Sequence, residues 1–200
     1  MNKIIFLLTA AIVAAIIFFV PPIKGLGELA KIIFFHVPTA WVSVVAFFVS
    51  AYFAAKFLRT QDFSADELSA RAAKLGFIFV LLSTVSGAIF SKLTWGAYWN
   101  WDPRQTTIFV LILIYGAYLT LRAAVSDEKT RAKVSAVYSL LSVLTVPFLV
   151  FILPRMYFSL HPSPISSSGI AMDSSVLIVL IAAVIDGTLI FVRLLRKDST

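Results

Sequence analysis

The chain of 200 residues contains no cysteine. That excludes a disulfide framework, a thiolate metal site, thiolate haem ligation and a C-x-x-C redox pair. Charge is scarce as well: 14% of residues are charged, against about a quarter in a soluble domain. Histidine occurs twice, and acidic residues number 10 against 17 Lys and Arg. What fills the chain is apolar: 60% of residues are hydrophobic, 18 of them Phe, and the mean hydropathy is +0.95. A soluble globular domain and a disordered chain are both excluded, which leaves a polytopic membrane protein. The +7 net charge is not a nucleic-acid footprint. No basic stripe is present, and the one charged cluster, Asp127 to Lys133, has mixed sign.

Six apolar runs organise the chain. A spanning helix needs about 17 to 25 residues, which predicts an all-α protein with six transmembrane helices near residues 4–22, 32–56, 73–93, 105–122, 133–153 and 174–193. Residues 1–200 then form one domain, with an external loop at 94–104. The first run is followed by Pro21-Pro22 instead of a small-residue cleavage site, and is read as an uncleaved span. Lys3, Lys56, Arg59, Arg71, Lys74, Arg122, Lys129, Arg131, Lys133, Arg193, Arg196 and Lys197 fall on one side. Lys24, Lys31, Lys92, Arg104 and Arg155 fall on the other. Because Lys and Arg are retained on the cytoplasmic side, both termini are expected there, and loops 21–31, 92–105 and 154–173 outside.

Both histidines map to the outer side, His36 one turn into the second span and His161 after the fifth. The third outer segment reads Trp95-Gly96-Ala97-Tyr98-Trp99-Asn100-Trp101-Asp102-Pro103-Arg104, and holds three of the four Trp. Each feature has a plain explanation. Trp and Tyr collect at membrane interfaces, Asp before Pro caps a helix, and a lone His near a helix end is an ordinary interfacial residue. Together they describe more. Two imidazoles, a dense set of rings and the cations Lys92, Arg104 and Arg155 suit a flat, apolar, dianionic ligand with a central metal, such as haem, for which His is a common axial ligand. Two His without a carboxylate pair or Cys supply too few ligands for a zinc site.

The pattern Trp95, Gly96, Trp99, Trp101, Asp102, with Thr106 or Thr107 downstream, resembles the tryptophan-rich WWD signature of the haem-handling proteins of cytochrome c biogenesis. His36-Val37-Pro38-Thr39-Ala40-Trp41 and Leu160-His161 also match. Over essentially the whole chain the sequence is similar to the cytochrome c maturation protein C family (CcmC). The longer WWD families, CcmF and CcsA, have more spans and more His. Tyr98 stands where relatives often carry Trp, and Pro103 and Gln105 where Ala and Leu are usual.

The resemblance implies non-covalent haem b held at the outer face of a cytoplasmic (inner) membrane, with His36 and His161 as axial ligands. Trp95, Gly96, Tyr98, Trp99, Trp101, Asp102 and Trp41 would form the haem platform or partner contact. Arg104, Arg155 and Lys92 are candidates for the propionates. It further implies delivery to a periplasmic-type, CcmE-like haem chaperone beside an ABC-type complex like CcmA, CcmB and CcmD. No nucleophile–base pair or phosphate loop argues for an enzyme. The competing functions are a b-type cytochrome or electron-transfer subunit, and an exporter carrying haem through the bilayer. An exporter needs a polar inner path, for which Asp186, Ser83, Thr84 and Ser86 are candidates. An intramembrane Asp is a functional hypothesis by default; the plainer reading has Asp186 paired with Arg193 near the cytoplasmic side. Within the loop, a helical conformation would put Trp95 and Trp99 on one face, with Tyr98 and Asn100 turned to a partner. Pro147 predicts a kink in the fifth span.

Overall fold

The computed structural model describes residues 3–22, 27–161, 165–166, 169–170 and 172–196. Lys24, Pro162 and Lys197 lie outside the described residues. The helices are α1 (Lys3–Phe18), α2 (Ile33–Thr60, entered through a 3-10 turn Glu28–Ile32), α3 (Phe63–Trp95), α4 (Pro103–Ala124) and α5 (Glu128–Pro147). A π-helical turn, Phe148–Ile152, leads from α5 into the short α6 (Leu153–Met156), and α7 (Ser174–Arg196) follows. Five stretches are long and apolar enough to cross a membrane: Glu28–Thr60, Phe63–Trp95, Pro103–Ala124, Glu128–Met156 and Ser174–Arg196. The apolar α1 has 16 residues, roughly 24 Å at 1.5 Å per residue, short of a hydrocarbon core of about 30 Å. Among the described residues the only strand pairing is a two-residue antiparallel ladder, β1 (Ile165–Ser166) with β2 (Gly169–Ile170), before α7. The all-α expectation needs only that amendment.

Several helices overrun the apolar runs. α3 begins ten residues ahead of the expected span, because Asp62 caps it by accepting from the Ser64 N–H and the sequence that follows is polar but helix-compatible. Hydropathy marks the part inside lipid, whereas backbone hydrogen bonding continues as far as the caps allow. Gln61, in the left-handed region at φ 55°, closes α2 and turns the chain into α3. At Pro147, where the sequence predicts a kink, the α-helix gives way immediately to a π-turn.

α2 is the central helix and packs on α3, α5 and α7; α4 lies against α3 and α5, and α1 sits at the edge on α7. Lipid-facing helices gain no hydrophobic drive from meeting each other, so close approach depends on small residues. The buried surfaces of α2 and α3 carry Ala46, Ala51, Ala54, Ala65, Ala72 and Ala73. A Cβ on Gly76 would lie 2.6 Å from Phe47 Cε1, so that position admits no side chain without displacement of the ring. Buried hydroxyls cross-link α2 to α3 and to α5: Ser50 Oγ lies 3.2 Å from Ser69 Oγ and 3.0 Å from Ser139 Oγ. Near the other end of the bundle, Asp66 on α3 takes a two-pronged hydrogen bond from the Arg122 guanidinium on α4. A cluster of Val44, Phe47, Val80, Leu111, Tyr115, Val146 and Leu149 fills the middle of the bundle.

Candidate functional site

The end of the bundle opposite the Asp66–Arg122 pair gathers both histidines. His36 lies in the first turn of α2, its imidazole turned onto α3. Its Nδ1 is 2.9 Å from the Ser83 carbonyl and 3.2 Å from Ser86 Oγ, and the Ser86 hydroxyl itself donates to that carbonyl at 2.9 Å. The ring lies against Gly87, where an added Cβ would stand 2.8 Å from Cε1. With the carbonyl as acceptor, Nδ1 carries the proton and Nε2 keeps the lone pair.

His161 approaches from the segment after α6. Its ring is tilted 54° to Trp95 at a centroid distance of 5.6 Å, and Trp95 in turn stands edge-on to Phe90 at 5.4 Å. His161 Nδ1 lies 3.4 Å from Asp102 Oδ1, outside good hydrogen-bonding geometry, and has no other partner among the described residues. Burial pushes the imidazole down to about 4, against the pull of the Asp102 carboxylate and with Arg104 adding to the depression. It is therefore neutral near pH 7, with a lone pair to offer. Among the described residues, Nε2 of neither histidine makes a hydrogen bond.

Asp102 ties the loop to the histidine segment. Oδ1 accepts from the Arg104 N–H at 2.8 Å and so caps α4, as its place before Pro103 predicts. Oδ2 accepts from the Leu160 N–H at 2.7 Å and from Ser159 Oγ at 2.9 Å. Burial by itself would raise this carboxyl, but these donors and His161 outweigh it and hold the group below the usual carboxylate range.

The loop is not helical. α3 ends at Trp95, and Gly96 at φ 84° provides the left-handed cap. Trp95 and Trp99 thus share no helix face. Trp95 belongs to the last turn of α3, beneath His161, whereas Trp99 meets Trp101 edge-on at 5.9 Å and 90° and Phe109 at 6.1 Å. The rings make no single flat shelf. Asn100, expected to face a partner, turns inward instead: Nδ2 donates to Ser91 Oγ at 2.7 Å and its N–H to Gln105 Oε1 at 2.8 Å. Gln105, a departure from the family pattern, is buried and braces the loop through the Tyr98 carbonyl. Tyr98 and Trp101 are the exposed rings, at 61% and 74%. Trp41 is exposed on α2 and has no ring contact with the loop among the described residues.

The cations divide. Arg104 has a buried Nε without a partner, an unmet donor at the N-terminal end of α4, where an anion is favoured. Arg155 is exposed and close enough for its charge to act on Arg104. Lys92 is taken up by the C-terminus of α3: its Nζ donates to the Gly96 carbonyl at 2.8 Å and lies 5.7 Å from the centre of the Tyr98 ring.

One further expectation fails. Asp186 does not pair with Arg193; it is buried on α7 and accepts from Thr9 Oγ1 of α1 at 2.8 Å, with Oδ1 unpartnered. The linear sequence does not show which helix faces α7. Ser83 and Ser86, candidates for an inner polar path, stand at the His36 end of the bundle, and the Thr84 hydroxyl bonds back to the Val80 carbonyl at 2.7 Å. Ser159 as a partner of Asp102 and Gly87 as the floor under His36 emerge only from the fold, since neither carries a motif. The donor set fits haem. Two imidazoles on separate segments, each with Nδ1 facing a protein oxygen, have the arrangement common to ligating histidines.

Membrane-length helices carrying a paired-histidine, tryptophan-rich site at one end define an integral membrane protein of the WWD class. The sequence pattern of the family described as Heme exporter protein C matches residues 1–198. The chain is similar to a Heme exporter protein C from Bradyrhizobium diazoefficiens, 33% identical over 84% of this chain and 64% of the relative. It is also similar to a ccmC-like mitochondrial protein of cytochrome c biosynthesis from Marchantia polymorpha, 31% identical over 86% of this chain and 72% of that protein. A cytochrome c biogenesis protein CcsA from Spinacia oleracea matches 48% of the chain at 33% identity. The chain belongs to the Heme exporter protein C family. It spans 64% of the length of the Bradyrhizobium relative and 51% to 57% of four others.

Proposed function

We propose that this protein holds haem at one face of the membrane, between Nε2 of His36 and Nε2 of His161, and delivers it to a haem chaperone during cytochrome c maturation. The observation that carries the reading is the matched presentation of the two imidazoles. Each turns Nδ1 to a fixed oxygen, the Ser83 carbonyl or the Asp102 carboxylate, and leaves Nε2 without a hydrogen bond among the described residues. The rings of Trp95 and Trp99 would contact the macrocycle, and Arg104, with Arg155 behind it, would take a propionate. An apolar layer of Val44, Phe47, Val80 and Val146 underlies this end of the bundle, which favours a cargo held at the surface over one passed through the helices.

The same reading extends to the setting. The haem is haem b, bound without a covalent link. α1 is the sixth span, both termini are cytoplasmic, and the loop and histidines face outward from an inner membrane. The recipient is a CcmE-like chaperone that meets the exposed Tyr98 and Trp101, with an ABC-type complex like CcmA, CcmB and CcmD alongside. The protein is a transfer module rather than an enzyme. A visible spectrum of the purified membrane protein tests the central claim. The expected result is a Soret band with six-coordinate, two-histidine features that weakens in His36→Ala and in His161→Ala. A double variant with the full haem content and an unchanged spectrum overturns it. Reporters fused after Thr200 and near Ser167 test the topology, with the first expected inside and the second outside.

A further inference from the structure

Asp102 does more than a helix cap requires. One carboxylate oxygen suffices to cap α4, yet both are engaged: Oδ1 with the Arg104 N–H at 2.8 Å, Oδ2 with the Leu160 N–H at 2.7 Å and the Ser159 hydroxyl at 2.9 Å. The second set fixes the two residues just ahead of His161. The Ser159 hydroxyl also lies 3.2 Å from the His161 N–H, so the backbone entering the histidine is held from two directions. The Asp102 side chain is 1% exposed, and Oδ1 stands 3.4 Å behind His161 Nδ1. A charge so removed from water acts strongly on a neighbour. The other histidine differs: His36 Nδ1 faces the neutral Ser83 carbonyl.

We infer that Asp102 is a positioning residue for the cargo, acting through His161: it sets the imidazole with Nε2 outward and makes His161 the more strongly donating of the two axial ligands. The inference rests on haem being held by these two histidines. A carboxylate behind the far nitrogen of a ligating imidazole raises its basicity and fixes its orientation. Ferric iron carries one more positive charge than ferrous iron, so the better donor stabilises the ferric state. The two axial bonds are then unequal. The His36 bond, backed by a neutral dipole, is the one vacated first when the haem is handed on.

The test is the reduction potential of the bound haem in Asp102→Asn. The amide can still cap α4 through its oxygen, but the charge is gone. The expected result is a loss of ferric preference by about tenfold, an upward move of about 59 mV for a one-electron couple. A merely structural Asp102 predicts less bound haem at an unchanged potential, and that outcome overturns the inference. A second measurement leaves Asp102 intact. In His161→Gly the vacated position is filled with imidazole or with 1-methylimidazole, which has no N–H to offer the carboxylate. Imidazole should give the lower potential there, and the same exchange in His36→Gly a smaller difference. Equal effects at the two positions overturn it too. Absence of a Soret band from the unaltered protein is a separate result, and sinks the haem reading itself.

Discussion

A side chain on Gly87 would occupy the space of the His36 ring: the nearest contact of an added Cβ is 2.8 Å, to Cε1. α3 thus supplies both the floor and the hydrogen-bond acceptor for an imidazole that belongs to α2. Gly87→Ala should force the ring off Ser83 or push the two helices apart. Overpacking of this kind costs about 1–3 kcal/mol. The expected outcome is a folded protein of slightly lower melting temperature that has lost most of its bound haem. Retention of the full Soret intensity would show that the ring position is not critical.

The Asp66–Arg122 pair, at the other end of the bundle, should matter for stability and not for haem. Their side chains are 6% and 17% exposed. Removing one partner strands the other in a poorly solvated place, a loss of a few kcal/mol, whereas replacing both is tolerated better. Asp66→Asn should lower the melting temperature in detergent clearly. Adding Arg122→Met should restore part of it, with the spectrum of bound haem unchanged in both. A double variant no more stable than Asp66→Asn would mean the pair is not coupled.

Arg104→Lys separates a carboxylate clamp from a headgroup anchor. The guanidinium offers a rigid fork that Lys cannot copy, and its buried Nε has no partner within the described structure. Haem retention during purification should fall several-fold while the two-histidine spectrum of the remainder is preserved. Retention equal to the parent protein removes Arg104 from the site.

The sequence discloses the parts that chemistry marks and hides those that packing makes. The membrane helices follow from apolar runs, and Asp102 as a cap follows from Asp before Pro. His36 and His161 stand out as the only imidazoles. The loop is harder to read: the four-residue spacing of Trp95 and Trp99 suggests a shared helical face, but Gly96 ends α3 and places Trp95 in a different environment from Trp99. Asn100 and Gln105 look like surface residues in the linear chain, and only the fold shows them bracing the loop from inside. Asp186 illustrates the general difficulty. The nearest basic residue in sequence is Arg193, but the carboxylate's partner is Thr9, 177 positions away, brought near by α1 lying on α7. Helix periodicity tells which face is polar, not which helix that face will meet.

The aromatic residues of the loop divide by exposure, and that division predicts separable defects. Trp95 is half-buried between Phe90 and His161, whereas Trp101 is 74% exposed and Tyr98 61%. Trp95→Ala opens space directly beneath one imidazole, so it should broaden or shift the haem spectrum and reduce haem content. Trp101→Ala and Tyr98→Ala remove rings that support no histidine, so bound haem should stay near the parent level with an unchanged spectrum. Their defect should appear in the complex with a chaperone of the CcmE type. An exposed aromatic ring at an interface is a common source of binding energy, and truncating one often costs about 2 kcal/mol or more, roughly a thirtyfold loss of affinity. Co-purification of haem with the tagged chaperone measures the second defect, and absorbance of the membrane protein alone measures the first. Trp99 falls between the classes, because it packs on both Trp101 and Phe109; Trp99→Ala should lower both readouts. If Trp101→Ala and Tyr98→Ala deliver haem normally, the exposed rings serve only the lipid interface, and the chaperone must meet the protein elsewhere.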